Sequence, residues 1–171
     1  MKFAAVLTSA LATSAVACTF DNCKNVDEGS CGTACCKLEF LVEGETTTEV
    51  MNKLNTTIGM KGPDGLYTPM PTAEGTLTFG DLRPYDKPVD FIGQAWHTTV
   101  NLLYTDTLNF LLKPVENDKS TLVTAFSISQ LGGSYGDEGQ NYYNLVSLME
   151  SVSWTNPYHM KHADGSCPAP K

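Results

Sequence analysis

Positive charge is scarce in this chain of 171 residues: 11 lysines and arginines stand against 19 acidic residues, for a formal charge of −8. Arg83 is the sole arginine. A surface so poor in cations argues against nucleic-acid phosphates as partners, because the dominant attractive term in such binding becomes repulsive. Long apolar runs are also missing, and no stretch approaches the roughly 20 residues of a membrane-spanning helix. No internal repeat is visible, no G-x-S-x-G elbow marks a hydrolase nucleophile, and the paired C-x2-C knuckles of structural zinc sites are lacking. What remains has the length of one domain with a single buried core.

The amino-terminal residues are rich where the rest is poor. Residues 1–17 join one early cation, Lys2, to an apolar run and to small residues at Ala15 and Ala17, the pattern of an export signal cleaved before Cys18. Loss of that segment takes the charge from −8 to −9. Ala15-Val16-Ala17-Cys18 is also similar to the lipobox of bacterial lipoproteins, which would anchor the chain through a lipid on Cys18. Cys18, Cys23, Cys31, Cys35 and Cys36 follow closely, with Cys167 far away. In an exported chain these six imply three bridges, and sequence does not choose among the 15 pairings. Adjacent Cys35 and Cys36 must reach different partners, since a bridge between neighbours is strained. If all six pair, Cys167 joins the amino-terminal group and ties the chain's ends together.

Periodicity divides the mature chain into a cysteine-rich segment (18–37), a core domain (38–154) and a tail containing proline and glycine (155–171). Residues 38–42 suit a first strand. Thr46 stands three residues before Glu49, a capping box that starts a helix running to about Leu54 or Thr57, with Val50, Met51 and Leu54 buried. At its end, Asn55-Thr56-Thr57 is an N-glycosylation acceptor in an exported chain. Residues 59–71 read as turn and extended segment, and 76–79 as a strand. Residues 91–104 alternate as one long strand, with Trp96, Val100, Leu102 and Tyr104 facing the core. Leu108, Phe110 and Leu112 line the next strand (107–114), and Glu116-Asn117-Asp118-Lys119 makes a polar hairpin turn. In strand 121–130 the larger Leu122, Thr124, Phe126 and Ile128 share one face. Helix 140–150 covers that ribbon with Tyr142, Leu145, Val146, Leu148 and Met149. The sum is an α+β domain: a largely antiparallel sheet, two packing helices and a disulfide-stapled amino-terminal segment.

Chemistry-bearing residues are few. Arg83 lies among Asp81, Tyr85 and Asp86, where it either holds a ligand carboxylate or closes a local salt bridge. His97, mid-strand with Asp106 and Ser129 as companions, is the candidate base of a hydrolase, which would need all three groups in mutual contact. His159 and His162, three apart, would share a face only on a helix, and the surrounding prolines and glycine oppose one. Asp137 can cap the helix that follows the glycine-rich loop, and Asn141 can tie that loop down from the first turn. The same helix start offers N–H groups to an anion, while Asp137 and Glu138 offer hard oxygens to calcium.

Ser127-Ile128-Ser129-Gln130-Leu131-Gly132, followed by Asp137-Glu138-Gly139-Gln140-Asn141, resembles the strand-to-helix signature of an uncharacterised family of bacterial and plastid-lineage proteins. That signature runs S-x-S-R-x-G and then D-x-G-x-N-x-x-R. Thr105-Asp106-Thr107-Leu108-Asn109-Phe110 is similar in position to that family's D-D-V-E-F strand. Gln130 and Asn144 fall where the family has arginine. The resemblance covers the last third of the core; it implies the strand–loop–helix unit and no known reaction. The function expected from the whole sequence is a secreted binding domain for a small amphipathic ligand or a partner protein. An acidic, calcium-associated matrix protein and a hydrolase using His97 are the alternatives.

Overall fold

A computed structural model describes residues 33–70, 78–134, 136–163 and 167. The export segment, Cys18, Cys23, Cys31 and residues 76–77 of the strand expected over 76–79 lie outside these residues. The described chain forms seven antiparallel strands in one sheet and two helices, the α+β class expected. Strands β1 (Cys35–Val42), β2 (Tyr67–Pro69), β3 (Phe79–Asp81), β4 (Phe91–Thr98), β5 (Thr105–Val115), β6 (Ser120–Ser129) and β7 (Tyr158–His162) lie in the order β2-β4-β5-β6-β1-β7, with β3 also pairing β4. The tail thus supplies an edge strand, and the sheet extends past the core boundary read at residue 154.

Helix α1 (Thr47–Gly59) starts where its capping box says it must. The Thr46 hydroxyl accepts from the Glu49 N–H, and the Glu49 carboxylate accepts from the Thr46 N–H at 2.8 Å. Two otherwise orphaned donors are satisfied at once. Val50, Leu54 and Ile58 turn to the sheet, and Asn55 stays exposed on the opposite side.

Helix α2 (Gln140–Ser151) corrects two expectations. The face of β6 beneath it carries the small residues Val123, Ala125 and Ser127, not Leu122, Phe126 and Ile128. Small side chains let a helix approach a sheet closely, so they lie underneath. The buried stripe of α2 is likewise rotated: Asn141 and Asn144 join Leu145, Leu148 and Met149, whereas Tyr142 and Val146 sit at its margin. Polar residues in the sheet below draw the two asparagines inward.

Strand β4 requires a third correction. It stops at Thr98, and its inner face carries Phe91, Gly93, Ala95 and His97 rather than Trp96. Gly93 is required there, because a Cβ would lie 2.4 Å from the Phe79 ring. Residues 99–104 form a loop in which Val100, Leu102 and Tyr104 face solvent instead of the core.

The inner face therefore grades along the strands. At one end Phe40, Phe91, Leu112 and Val123 form an apolar row; at the other, Tyr67, His97, Asp106 and Ser129 form a polar one. Cys36 is bridged to Cys167 across a separation of 131 residues, as the joining of the chain's ends required. Cys35, on the opposite face of β1, is disulfide-bonded as well, and not to either of those two.

Candidate functional site

The polar row spans four strands because of register: Tyr67 on β2 pairs with His97 on β4, His97 with Asp106 on β5, and Asp106 with Ser129 on β6. Each occupies an inward position that an apolar residue would ordinarily fill, and all are buried. Burial obliges such groups to find partners, and α2 supplies those of Tyr67 and Asp106. Asn144 donates to the Asp106 carboxylate at 2.8 Å and accepts from the Gln140 amide at 2.7 Å. The Tyr67 hydroxyl donates to the Asn144 carbonyl at 2.7 Å, and the Ser127 hydroxyl to the Asn141 side chain at 2.6 Å.

The glycine-rich loop is closed by the same network. The Asp137 carboxylate accepts from the N–H groups of Gly139 and Asn141 and from the Asn141 amide. The Asn141 amide also donates to the Ala34 carbonyl at 3.0 Å. Asp137 therefore caps α2, and Asn141 fastens the loop to β6 and to the start of β1. With both its oxygens taken by N–H donors, Asp137 offers little to calcium. Among the described residues no three metal-binding side chains converge. His159 and His162, on one strand at odd spacing, point to opposite faces; His159 meets Glu43 at 3.5 Å, and the His162 ring stacks on Tyr142.

Two features of the row stand out electrostatically. Burial raises the Asp106 carboxyl above the usual carboxylate range, the nearby Asp137 charge adds to this, and the Asn144 amide, His97 and the Ser129 hydroxyl pull against it. His97 Nε2 faces Asp64 Oδ2 at 2.9 Å, while its Nδ1 is buried with no partner. A hydrolase would need His97 to touch a nucleophile, and the order of the row places Asp106 between His97 and Ser129. Strands two apart are separated by roughly 10 Å, beyond hydrogen-bond reach of a serine on β6.

Arg83 lies at the other end of the sheet, apart from Asp137 and Asn141. Asp81 accepts from its Nη2 at 2.6 Å and from its Nε at 2.9 Å, Thr48 takes Nη1, and the guanidinium covers the Phe91 ring at 4.7 Å. The sequence reading allowed either a ligand clamp or a local salt bridge, and the salt bridge is what forms.

Sequence reasoning missed the surface around the polar row. The loop joining β4 to β5 exposes Val100 by 89%, Leu102 by 71%, Leu103 by 68% and Tyr104 by 48%, and Leu131 beside it by 49%. Gln130 extends the β5–β6 ladder by donating its N–H to the Thr105 carbonyl at 3.0 Å, so residue 131 follows directly on the strand end from which the 99–104 loop emerges. The hairpin loop makes its hydrogen bonds internally. The Thr99 N–H donates to the Tyr104 carbonyl and its own carbonyl accepts from Leu102, its hydroxyl donates to the Asn101 side-chain oxygen at 2.8 Å, and Leu102 holds a left-handed backbone at φ 56. The signal for this was Thr99 and Asn101, short polar side chains that compete with the strand for backbone groups.

No protein-family model, curated protein or solved structure matches this chain. Ser127, Asp137 and Asn141 clasp the strand–loop–helix unit together.

Proposed function

We propose that this protein is an exported, disulfide-bonded binding domain that meets a partner protein through the end of the sheet carrying residues 99–104 and Leu131. The observation that carries the reading is the exposure of Val100, Leu102, Leu103 and Tyr104 in a loop that hydrogen-bonds to itself, with exposed Leu131 at the same end of the sheet. Exposed apolar clusters of this kind mark interaction sites, and an ordered loop loses little entropy on docking. A partner protein suits the geometry better than a small ligand, because side chains this exposed project outward and enclose nothing. The buried polar row then serves as the foundation, fixing β4, β5, β6 and α2 beneath the loops. Export is supported by the leader pattern and by the Cys36–Cys167 bridge, since such bonds persist in oxidising compartments; no helix among the described residues is long and apolar enough to cross a membrane. Asn55, exposed on α1, is open to glycosylation in a eukaryotic secretory pathway.

The test compares affinity capture from the producer's extracellular fluid by the mature protein and by the Leu102→Asp, Leu103→Asp variant. A protein retained by the first and lost by the second is expected. Identical capture by both baits, with the variant folded by circular dichroism, refutes the reading.

A further inference from the structure

A second site lies on the outer face of the sheet, about 30 Å along β5 from the loops just described. There β7, β1, β6 and the end of β5 line an open groove of ≈ 400 Å³, floored by Leu41, Leu122 and Val115. Register builds the floor, since Leu41 pairs directly with Leu122 on one side and with His159 on the other. The volume falls at the small end of the range for sites that take single small molecules.

The charges around its mouth are unequal. Lys161 meets Glu39 at 2.7 Å and His159 meets Glu43 at 3.5 Å, so each basic group on this wall already faces a carboxylate. Of the charged residues lining the groove, Glu116 alone makes no ion pair within 4 Å; Lys113, opposite Leu122 in the ladder, lies outside the lining. The one bond of Glu116 is to Ser120, whose hydroxyl donates to Oε2 at 2.8 Å. The carboxylate is held over the groove by an unusual turn in which Glu116, Asn117 and Asp118 all adopt left-handed backbones, at φ 54, 55 and 64. Non-glycine residues pay for that conformation, and three in succession fix the direction of the turn. The groove thus combines an apolar floor with a carboxylate at its rim that forms no ion pair.

We propose that this groove binds a small amphipathic amine, with its hydrocarbon or aryl body on Leu41, Leu122 and Val115 and its ammonium group against Glu116. An uncharged apolar molecule would fill the floor and leave Glu116 without a partner. A fatty carboxylate would place a second negative charge beside it. The amine alone satisfies both parts of the site. The assignment is independent of partner binding at the loop end, so either can fail without the other.

The experiment is a nitrogen-15 NMR titration of the mature, oxidised protein with octylamine, 1-octanol and octanoate, three probes with the same body and different heads. Saturable shifts at Leu41, Val115, Glu116 and Leu122 are expected with octylamine, at an affinity about tenfold above octanol, the ratio that about 1.4 kcal/mol produces. Glu116→Gln should remove that tenfold advantage and leave octanol binding unchanged. Glu116→Asn, whose side chain better tolerates a left-handed backbone, provides the second variant should the first disturb the turn. The proposal is overturned by equal affinity for the three probes, by shifts confined to other surfaces, or by undiminished amine preference in the folded variants. Absence of saturable shifts up to about 10 mM octylamine overturns it equally.

Discussion

At the scale of single residues, Asp106 is the most informative position, because its environment and its charge disagree. It is 5% exposed, its nearest donors are the neutral Asn144 amide and the Ser129 hydroxyl, and Asp137 repels it. His97, across the β4–β5 pair, pulls the other way. Burial therefore makes the folded carboxyl bind its proton more tightly than an ordinary aspartate at 3.8. The native state then gains on the unfolded state at acid pH and loses that gain as pH climbs from 3.8 to the folded value. Each tenfold difference in proton affinity corresponds to about 1.4 kcal/mol. Asp106→Asn keeps the acceptor for Asn144 and removes the charge, so the variant should gain stability relative to the parent between pH 4 and pH 7. Urea midpoints of both proteins at those two pH values check this. A constant difference between them would show that Asp106 is not buried as a reluctant charge. Asn144 bears on the same point, since an amide satisfies the carboxylate's geometry without neutralising it.

The elements show where sequence is legible and where it falls silent. Helix α1 was readable because its start is written in four adjacent residues, and the geometry of Thr46 and Glu49 is the reciprocal pair the pattern implies. Replacing Thr46 by alanine should accordingly cost about 1 kcal/mol and lower the melting temperature by roughly 2–4 °C in a chain of this size. A loss below measurement, by calorimetry, would mean that packing of Val50, Leu54 and Ile58 alone sets the helix's start. The faces of β4 and β6 were not readable in this way. Alternation supplies a period without a sign, and the side a helix covers is decided by what the opposite layer tolerates. In β6 the helix chose the face of Val123, Ala125 and Ser127; in β4 the packed Phe79 ring fixes Gly93 inward, and therefore Trp96 outward. The loop at 99–104 was misread for a related reason. Its apolar residues continue the alternation of β4, and only the side-chain bonds of Thr99 and Asn101 reveal that the strand has ended. The candidate site suffered most. Asp137 and Asn141 were found because capping is local, whereas Tyr67, Asp64 and Asn144 enter through register and long-range contact, which no local pattern encodes.

For the whole molecule, the arrangement of the sheet makes the Cys36–Cys167 bridge a statement about topology. Strand β1 sits between β6 and β7, so the first described strand is inside the sheet and the last completes it at the edge. Register places Leu38 opposite His162, so the bridge closes just beyond the point where β1 and β7 pair. The strand it secures is only five residues long and mostly exposed, with Tyr158 against Phe40 as its main apolar anchor. Such an edge strand would fray readily on its own. In the chain-entropy account, a closed loop of this length lowers the entropy of the unfolded state by an amount equivalent to about 5 kcal/mol, which is large beside a typical net stability of about 5–15 kcal/mol. Replacing both Cys36 and Cys167 by alanine should therefore lower the melting temperature by roughly 10–20 °C, with β7 amides losing hydrogen-exchange protection before those of β5 and β6. Melting and exchange under non-reducing conditions, with the Cys35 bridge retained, separate the two contributions. If β7 alone lost protection while the melting temperature moved by only a few degrees, the bridge would be a local clasp for the edge strand, and the long loop it closes would contribute little to the fold.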